Sequence, residues 1–300
     1  MGLFGDNYSK PGPGVAKDAP EKKGIFRYFE MFFRKFWKLL QVNMLHFIAS
    51  IPFMVIMFFL SPTDFLVSLV YDAVTDEATF ISLIIRAMFA VMMFVLFGSG
   101  PASAAYAYIT RCFTRAEHTW VLSDFKDKFK ENFKQGIILS IVDTVFVALI
   151  VIAYSVYLSE YLASGSLIWM IILSLLTTIT FLYTIMHLYV YQFMVTFKSS
   201  TVQLFKNAFI FAAANMPMCI FLLALAVTLN FVMFTFIPNP LLILMLDFII
   251  GISLARFPIE YSASRAISKK ILSTLEQKED GAEEQIFSDN TSTSVGKGEE

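Results

Sequence analysis

Charge is what this sequence has least of. Asp, Glu, Lys and Arg together make up 16 % of the 300 residues, against about 25 % in an ordinary soluble domain. That shortage excludes a typical cytosolic enzyme. The 57 % of hydrophobic residues excludes a disordered or fibrous chain. Two cysteines, Cys112 and Cys219, give neither a disulfide framework nor a metal spacing, and the three histidines, His46, His118 and His187, stand far apart. No H-E-x-x-H or G-x-S-x-G occurs. Gly98-Ser99-Gly100-Pro101 lacks the Lys-Ser/Thr of a phosphate loop. The expectation is a protein that is not an enzyme, with no catalytic residue, cofactor or metal.

What is present is apolar length. Thirty-three Phe and 15 Met sit mostly in six runs near 42–60, 80–100, 136–158, 167–195, 211–237 and 240–257. Each is close to the roughly 20 residues that cross a ~30 Å hydrocarbon core. The fold class expected is all-α, a polytopic transmembrane helical bundle of about six spans with interfacial amphipathic helices. Residues 24–272 form the membrane domain. The tails, 1–23 and 273–300, lack apolar periodicity and read as disordered. The start does not read as a secretory signal. The second run has room to continue as a helix to Phe113. Between the fifth and sixth runs, Pro238-Asn239-Pro240 reads either as a tight hairpin or as the turn of a re-entrant segment.

The cations set the threading. Of 23 Lys and Arg, 22 fall in the N-terminal region, in the 111–134 loop, at Lys198 and Lys206, and from Arg256 onward. The connections 61–79, 159–166 and 238–240 hold none and carry Asp64, Asp72, Asp76, Glu77 and Glu160 instead. The positive-inside rule then places both termini in the cytoplasm. A five-span threading strands a basic loop outside.

Arg27, Glu30, Arg34, Lys38 and Gln41 line one face of a helix over 25–41, opposite bulky aromatics. This pattern suits a helix in the membrane interface, although it could also run on into the first span. Phe125, Phe129 and Phe133 amid Lys126, Lys128, Lys130 and Lys134, and Val202, Phe205 and Phe209 beside Lys206, precede the third and fifth runs similarly. Three repeated hairpins would produce this pattern, and so would ordinary basic flanks. These basic helices are candidate partners for anionic lipid and for another protein, not for nucleic acid.

Ionisable groups inside spans are the first functional candidates. Arg86 and Asp247 lie at matched depth from the outer face and could pair. Alternatively, Arg86 snorkels toward Asp72, Asp76 or Glu77. Asp143 and His187 are matched in depth from the inner face, as a proton relay or as a structural bond between helices. His46 reads as interfacial. Gly98, Gly100 and Pro101 mark a helix break among small residues, suited either to close packing or to lining a substrate path.

Four features together resemble the YesL family of bacterial membrane proteins, an uncharacterised family. They are the aromatic N-terminal helix, Asn43 with Pro52, Gly100-Pro101-Ala102 followed by Ala104, Ala105 and Arg111, and the Phe125–Phe133 segment with Asn132. The resemblance spans roughly residues 25–270. An acidic loop and extra span length between Pro52 and Pro101 depart from the family pattern. The resemblance implies a bacterial plasma-membrane protein accessory to carbohydrate uptake, with carbohydrate transporter components as partners. It transfers no catalytic residue. A small permease is the alternative function.

Overall fold

The computed structural model describes residues 24–68, 76–237 and 239–272. Among these every regular element is helical, and six helices or continuous rods are long and apolar enough to cross a membrane. The protein is an all-α polytopic bundle. It divides into two units, Met1–Phe36 and Trp37–Glu300. The sequence expectations for 1–23 and 273–300, and for Asp72, fall outside the described residues.

The first unit contains α1 (Ile25–Arg34), whose Phe26, Phe29 and Phe33 are exposed along one side. The amphipathic helix is shorter than the 25–41 expected. Lys35 leaves helical geometry at φ −104° and ψ 11°, and α2 (Phe36–Phe59) begins at once. The first span therefore starts six residues before Val42.

In the second unit, α3 (Thr63–Ser68) follows α2, and then α4 (Asp76–Phe97) returns. The chain breaks at 98–100 and resumes as α5 (Pro101–Thr114). The continuous helix expected to Phe113 is interrupted because Gly98 and Gly100 adopt φ +75° and +62°, values open to glycine at little cost. α5 is buried on almost every side. Its Ala102, Ser103, Ala104, Ala105 and Ala107 permit this, since small side chains let backbones approach. α6 (Val121–Glu131) leads into α7 (Phe133–Ser164), and α8 (Leu167–Thr196) returns. α9 (Thr201–Ala214) leads into α10 (Met216–Phe236). The fifth span is thus shorter than 211–237, because α9 holds residues 211–214 and Asn215 interrupts the helix. Asn239 Oδ1 accepts from the backbone N–H of Leu241 and Leu242 and so caps α11 (Pro240–Leu246). α11, a π-helical turn at Asp247–Gly251 and α12 (Ile252–Ile267) form one rod, ten residues longer than the 240–257 expected.

A local pattern recurs three times. A short helix precedes each of α2, α7 and α10, and one residue joins it to the span. Those residues are Lys35, Asn132 and Asn215, with φ/ψ of −104/11°, −94/9° and −125/29°. This is the sparsely populated bridge region.

At one end of the bundle Lys38 Nζ donates to the carbonyl of Thr119 (2.8 Å), and Gln135 to that of Ser199 (3.0 Å). At the opposite end Arg86 meets Asp64.

Candidate functional site

A helix that stops inside a bundle leaves up to four carbonyls without partners. α4 stops this way, and other helices supply the donors. Arg256 of α12 donates through Nη1 to the carbonyls of Val95 (2.9 Å) and Phe94 (3.3 Å). Tyr191 of α8 donates its hydroxyl hydrogen to the carbonyl of Phe97 (2.8 Å). The guanidinium also lies at the negative end of the α4 dipole, where a cation is favoured. On the α5 side the Ser99 N–H donates to Ser103 Oγ (2.8 Å) and the Gly100 N–H to Tyr191 Oη (3.0 Å). Pro101 has no N–H to satisfy, which suits a first helical residue. A Cβ on Gly100 would collide with the backbone of Gly136 in α7, and one on Gly98 with Tyr191 and Ser103.

The charge of Arg256 is balanced one turn along by Glu260, at 3.2 Å, with both side chains only 2 % exposed. Gln192 Nε2 donates to Glu260 Oε2 and to the carbonyl of Ala107, both at 2.9 Å. The guanidinium carbon lies 5.0 Å from the Tyr191 ring centre. Sequence reasoning placed Arg256 among the cytoplasmic flanks and did not single out Glu260. The available signal was their spacing. Opposite charges four residues apart share a helix face, and here they interrupt an otherwise small and apolar stretch.

The structure brings Asp143 and His187 together. Asp143 Oδ1 accepts from His187 Nε2 (2.8 Å) and from the hydroxyl of Tyr183 (2.6 Å). Phe97 presents its ring to His187 at 87°, and Phe146 stacks on Tyr183 with centroids 3.8 Å apart. Tyr191 contacts the His187 ring as well as Arg256, so one tyrosine joins the two charged clusters. Asp143 Oδ2 and His187 Nδ1 have no hydrogen-bond partner among the described residues.

Arg86 and Asp247 are not brought together. Arg86 binds Asp64 Oδ1 at 2.5 Å, and the Asp64 side chain is 85 % exposed. Arg86 thus reaches an acid of the 61–79 connection, though not one of the three named from sequence. Asp247 is buried in the π-helical turn. There Asn43 Nδ2 donates to the carbonyls of Asp247 and Phe248 (2.8 Å each), while Asn43 Oδ1 accepts from the Ser253 N–H (2.8 Å). One amide side chain thereby satisfies backbone groups that the irregular turn frees.

His46 is fully buried, not interfacial. The extension of α2 back to Phe36 carries it inward, where it bonds Ser103 (2.9 Å) and stacks on Tyr106 (4.8 Å). Beside it Ser50 bonds both the His46 carbonyl and Ser99. A second arginine repeats the carbonyl-binding role. Arg111 Nη1 in α5 donates to the carbonyl of Val195 (2.5 Å) at the end of α8. Next to it, burial foremost and then the nearby Glu117 push the Cys112 thiol up to about 11.

The chemistry of this centre is therefore chiefly the satisfaction of backbone. Among the described residues no three His, Cys, Asp or Glu side chains gather as a ligand set for a metal. Two cavities lie close by. A polar cleft of about 500 Å³ at the basic end runs between the α6–α7 junction and the α8–α9 connection. An apolar groove of about 420 Å³ between α2 and α7 has Ser99 and Pro101 on its floor.

Among known proteins, residues 81–154 match a family described as a protein of unknown function, DUF624. The matched stretch runs from α4 through the break, α5 and α6 into α7, and includes Arg86 and Asp143. No curated protein and no solved structure matches the chain.

Proposed function

We propose that this chain is a multi-pass protein of a bacterial plasma membrane, with both termini cytoplasmic, that serves carbohydrate uptake as an accessory or regulatory component and is not itself an enzyme. One observation supports an accessory role over a solute pathway. The buried polar side chains point at backbone and at each other: Arg256 at the α4 carbonyls, Tyr191 at both sides of the break, Asn43 at the π-helical turn. Groups engaged in this way fix one arrangement of helices. The link to carbohydrate rests on the resemblance to the YesL family. The orientation rests on the placement of the cations that flank the spans and on the positive-inside rule.

Two measurements test it. Deleting the coding sequence in the native bacterium should slow growth on oligosaccharides and leave growth on glucose unchanged. A tagged full-length chain should co-purify with membrane components of a carbohydrate transporter. Unchanged growth together with a chain recovered alone overturns the reading.

A small permease is the second reading. It is favoured by the broken α4–α5 helix and by the unpartnered Asp143 Oδ2 and His187 Nδ1, since interrupted helices with polar termini line transport sites. Solute flux in proteoliposomes that Asp143→Asn and His187→Gln abolish would establish it.

A further inference from the structure

The groove between α2 and α7 has a composition that selects its occupant. Pro52, Phe53 and Ile56 form one wall, and Ile137, Ile141 and Val145 the other. The eight-residue step along α7 spans ~12 Å. Of the three hydroxyls on the lining, Ser99 is engaged by Ser50 and Thr144 by the carbonyl of Ser140, which leaves only the Ser140 hydroxyl. The groove therefore offers mainly hydrocarbon walls.

Its inner end is different. Phe129 and Phe133 close it, and beside them Lys126 and Lys130 of α6 and Lys134 of α7 recur every fourth residue. All three lysines are exposed, and none is in an ion pair among the described residues. Of the three acids of α6, Asp124 accepts from the Trp120 N–H and Glu131 pairs with Lys128, while Asp127 is exposed and in no ion pair among the described residues. A cationic rim beside an apolar slot matches an amphiphile with an anionic head. A second copy of the chain fits less well, because two-fold pairing across the groove would bring these lysine rows together.

We infer that this groove binds one anionic phospholipid. An acyl chain lies along Ile137, Ile141 and Pro52 against the α4–α5 break, and the phosphate is held by Lys130 and Lys134. The site is distinct from the sealed polar centre, and the inference stands or falls independently of any role in carbohydrate uptake. It implies that lipid reports directly on the break, since Ser99 and Pro101 form the floor.

Native mass spectrometry of the full chain, purified in non-ionic detergent and given equal amounts of phosphatidylglycerol and phosphatidylcholine of the same chain length, tests it. One phosphatidylglycerol per chain should be retained in preference. With each lysine near a surface contributing about fivefold, K130Q/K134Q should weaken retention about thirtyfold and erase the preference. I141W, which fills the groove at an exposed position, should lower retention of both lipids. V145W serves instead if I141W loses its helical circular dichroism. Equal retention of the two lipids by the native chain, or undiminished retention by the groove-filled variant, overturns the site. So does a native dimer that I141W converts to monomer, which would assign the groove to a second copy.

Discussion

The two halves of α8 belong to one helix but to different environments. From Leu167 to Tyr183 no residue is buried, while every residue from Thr184 to Met194 is. The exposed half carries Leu167, Ile168, Ile171 and Leu175, each more than half exposed, and is met by α7 through Tyr154–Thr177 and Tyr157–Trp169. The buried half carries His187, Tyr189, Tyr191 and Gln192, and α4, α5, α7, α9, α10 and α12 all pack against α8. In water the apolar half would be the buried one. Here the polar half is buried, because lipid accepts exposed isoleucine but cannot satisfy an amide or an imidazole. In α8 the imidazole, the amide and two tyrosines lie in the buried half, within a bundle whose core is otherwise largely apolar.

The comparison can be broken most sharply at Arg256. Arg256→Ala leaves Glu260 without its counter-charge and the Val95 carbonyl without its donor. Losing one partner of a buried ion pair destabilises by about 3–5 kcal/mol. The variant should fail to yield a monodisperse peak in detergent or should melt far below the native chain, and a native-like melting curve would show that the inner layer does not depend on this residue. Gly100→Ala should come next, at about 3 kcal/mol. It combines a positive φ unfavourable to alanine with overpacking against Gly136, and Gly136→Ala should reproduce much of the effect. At the other end, Arg86→Ala should cost under about 1 kcal/mol, because Asp64 is 85 % exposed and solvent screens such a pair. A thermal shift comparable to that of Arg256→Ala would erase the distinction between the two ends.

The smallest effect is kinetic. With its thiol pushed up to about 11, Cys112 is held as the neutral, unreactive form at neutral pH. Only the thiolate reacts with maleimide, so labelling of the folded chain should be slow at pH 8 and rise about tenfold per pH unit toward pH 11. A rate that levels off near pH 9 would indicate an ordinary, solvated thiol.

Much of this was legible in the residues, and the reasons are specific. Lipid imposes long apolar runs, so the number of spans could be read directly. The break showed at Gly98-Ser99-Gly100-Pro101, since few other residues tolerate that backbone. Asp143 and His187 stood out as polar residues in apolar surroundings, and simple helical rise set them at one level. Arg256 and Glu260 were obscured by their neighbours. Arg265, Lys269 and Lys270 follow soon after, and a charge count alone extends the cytoplasmic flank over them. The partner of Arg86 was obscured for another reason, because Asp64 lies on a short helix whose placement depends on tertiary contacts rather than on periodicity. The short helices before α2, α7 and α10 were visible as amphipathic patterns. Their one-residue junctions were not, since Lys35, Asn132 and Asn215 share geometry without sharing chemistry.

The Arg256 contacts also bear on how the protein is made. The rod that holds Arg256 carries a full charge that the bilayer resists, and its acceptors on Phe94 and Val95 lie some 160 positions earlier in the chain. By the time α12 reaches the membrane, its receiving site has long been translated. Biogenesis can therefore proceed hairpin by hairpin, with α12 entering as a key enters a lock already cut. A ribosome stalled before residue 256 would leave the Val95 carbonyl without its donor and the interrupted helix open to quality-control proteases.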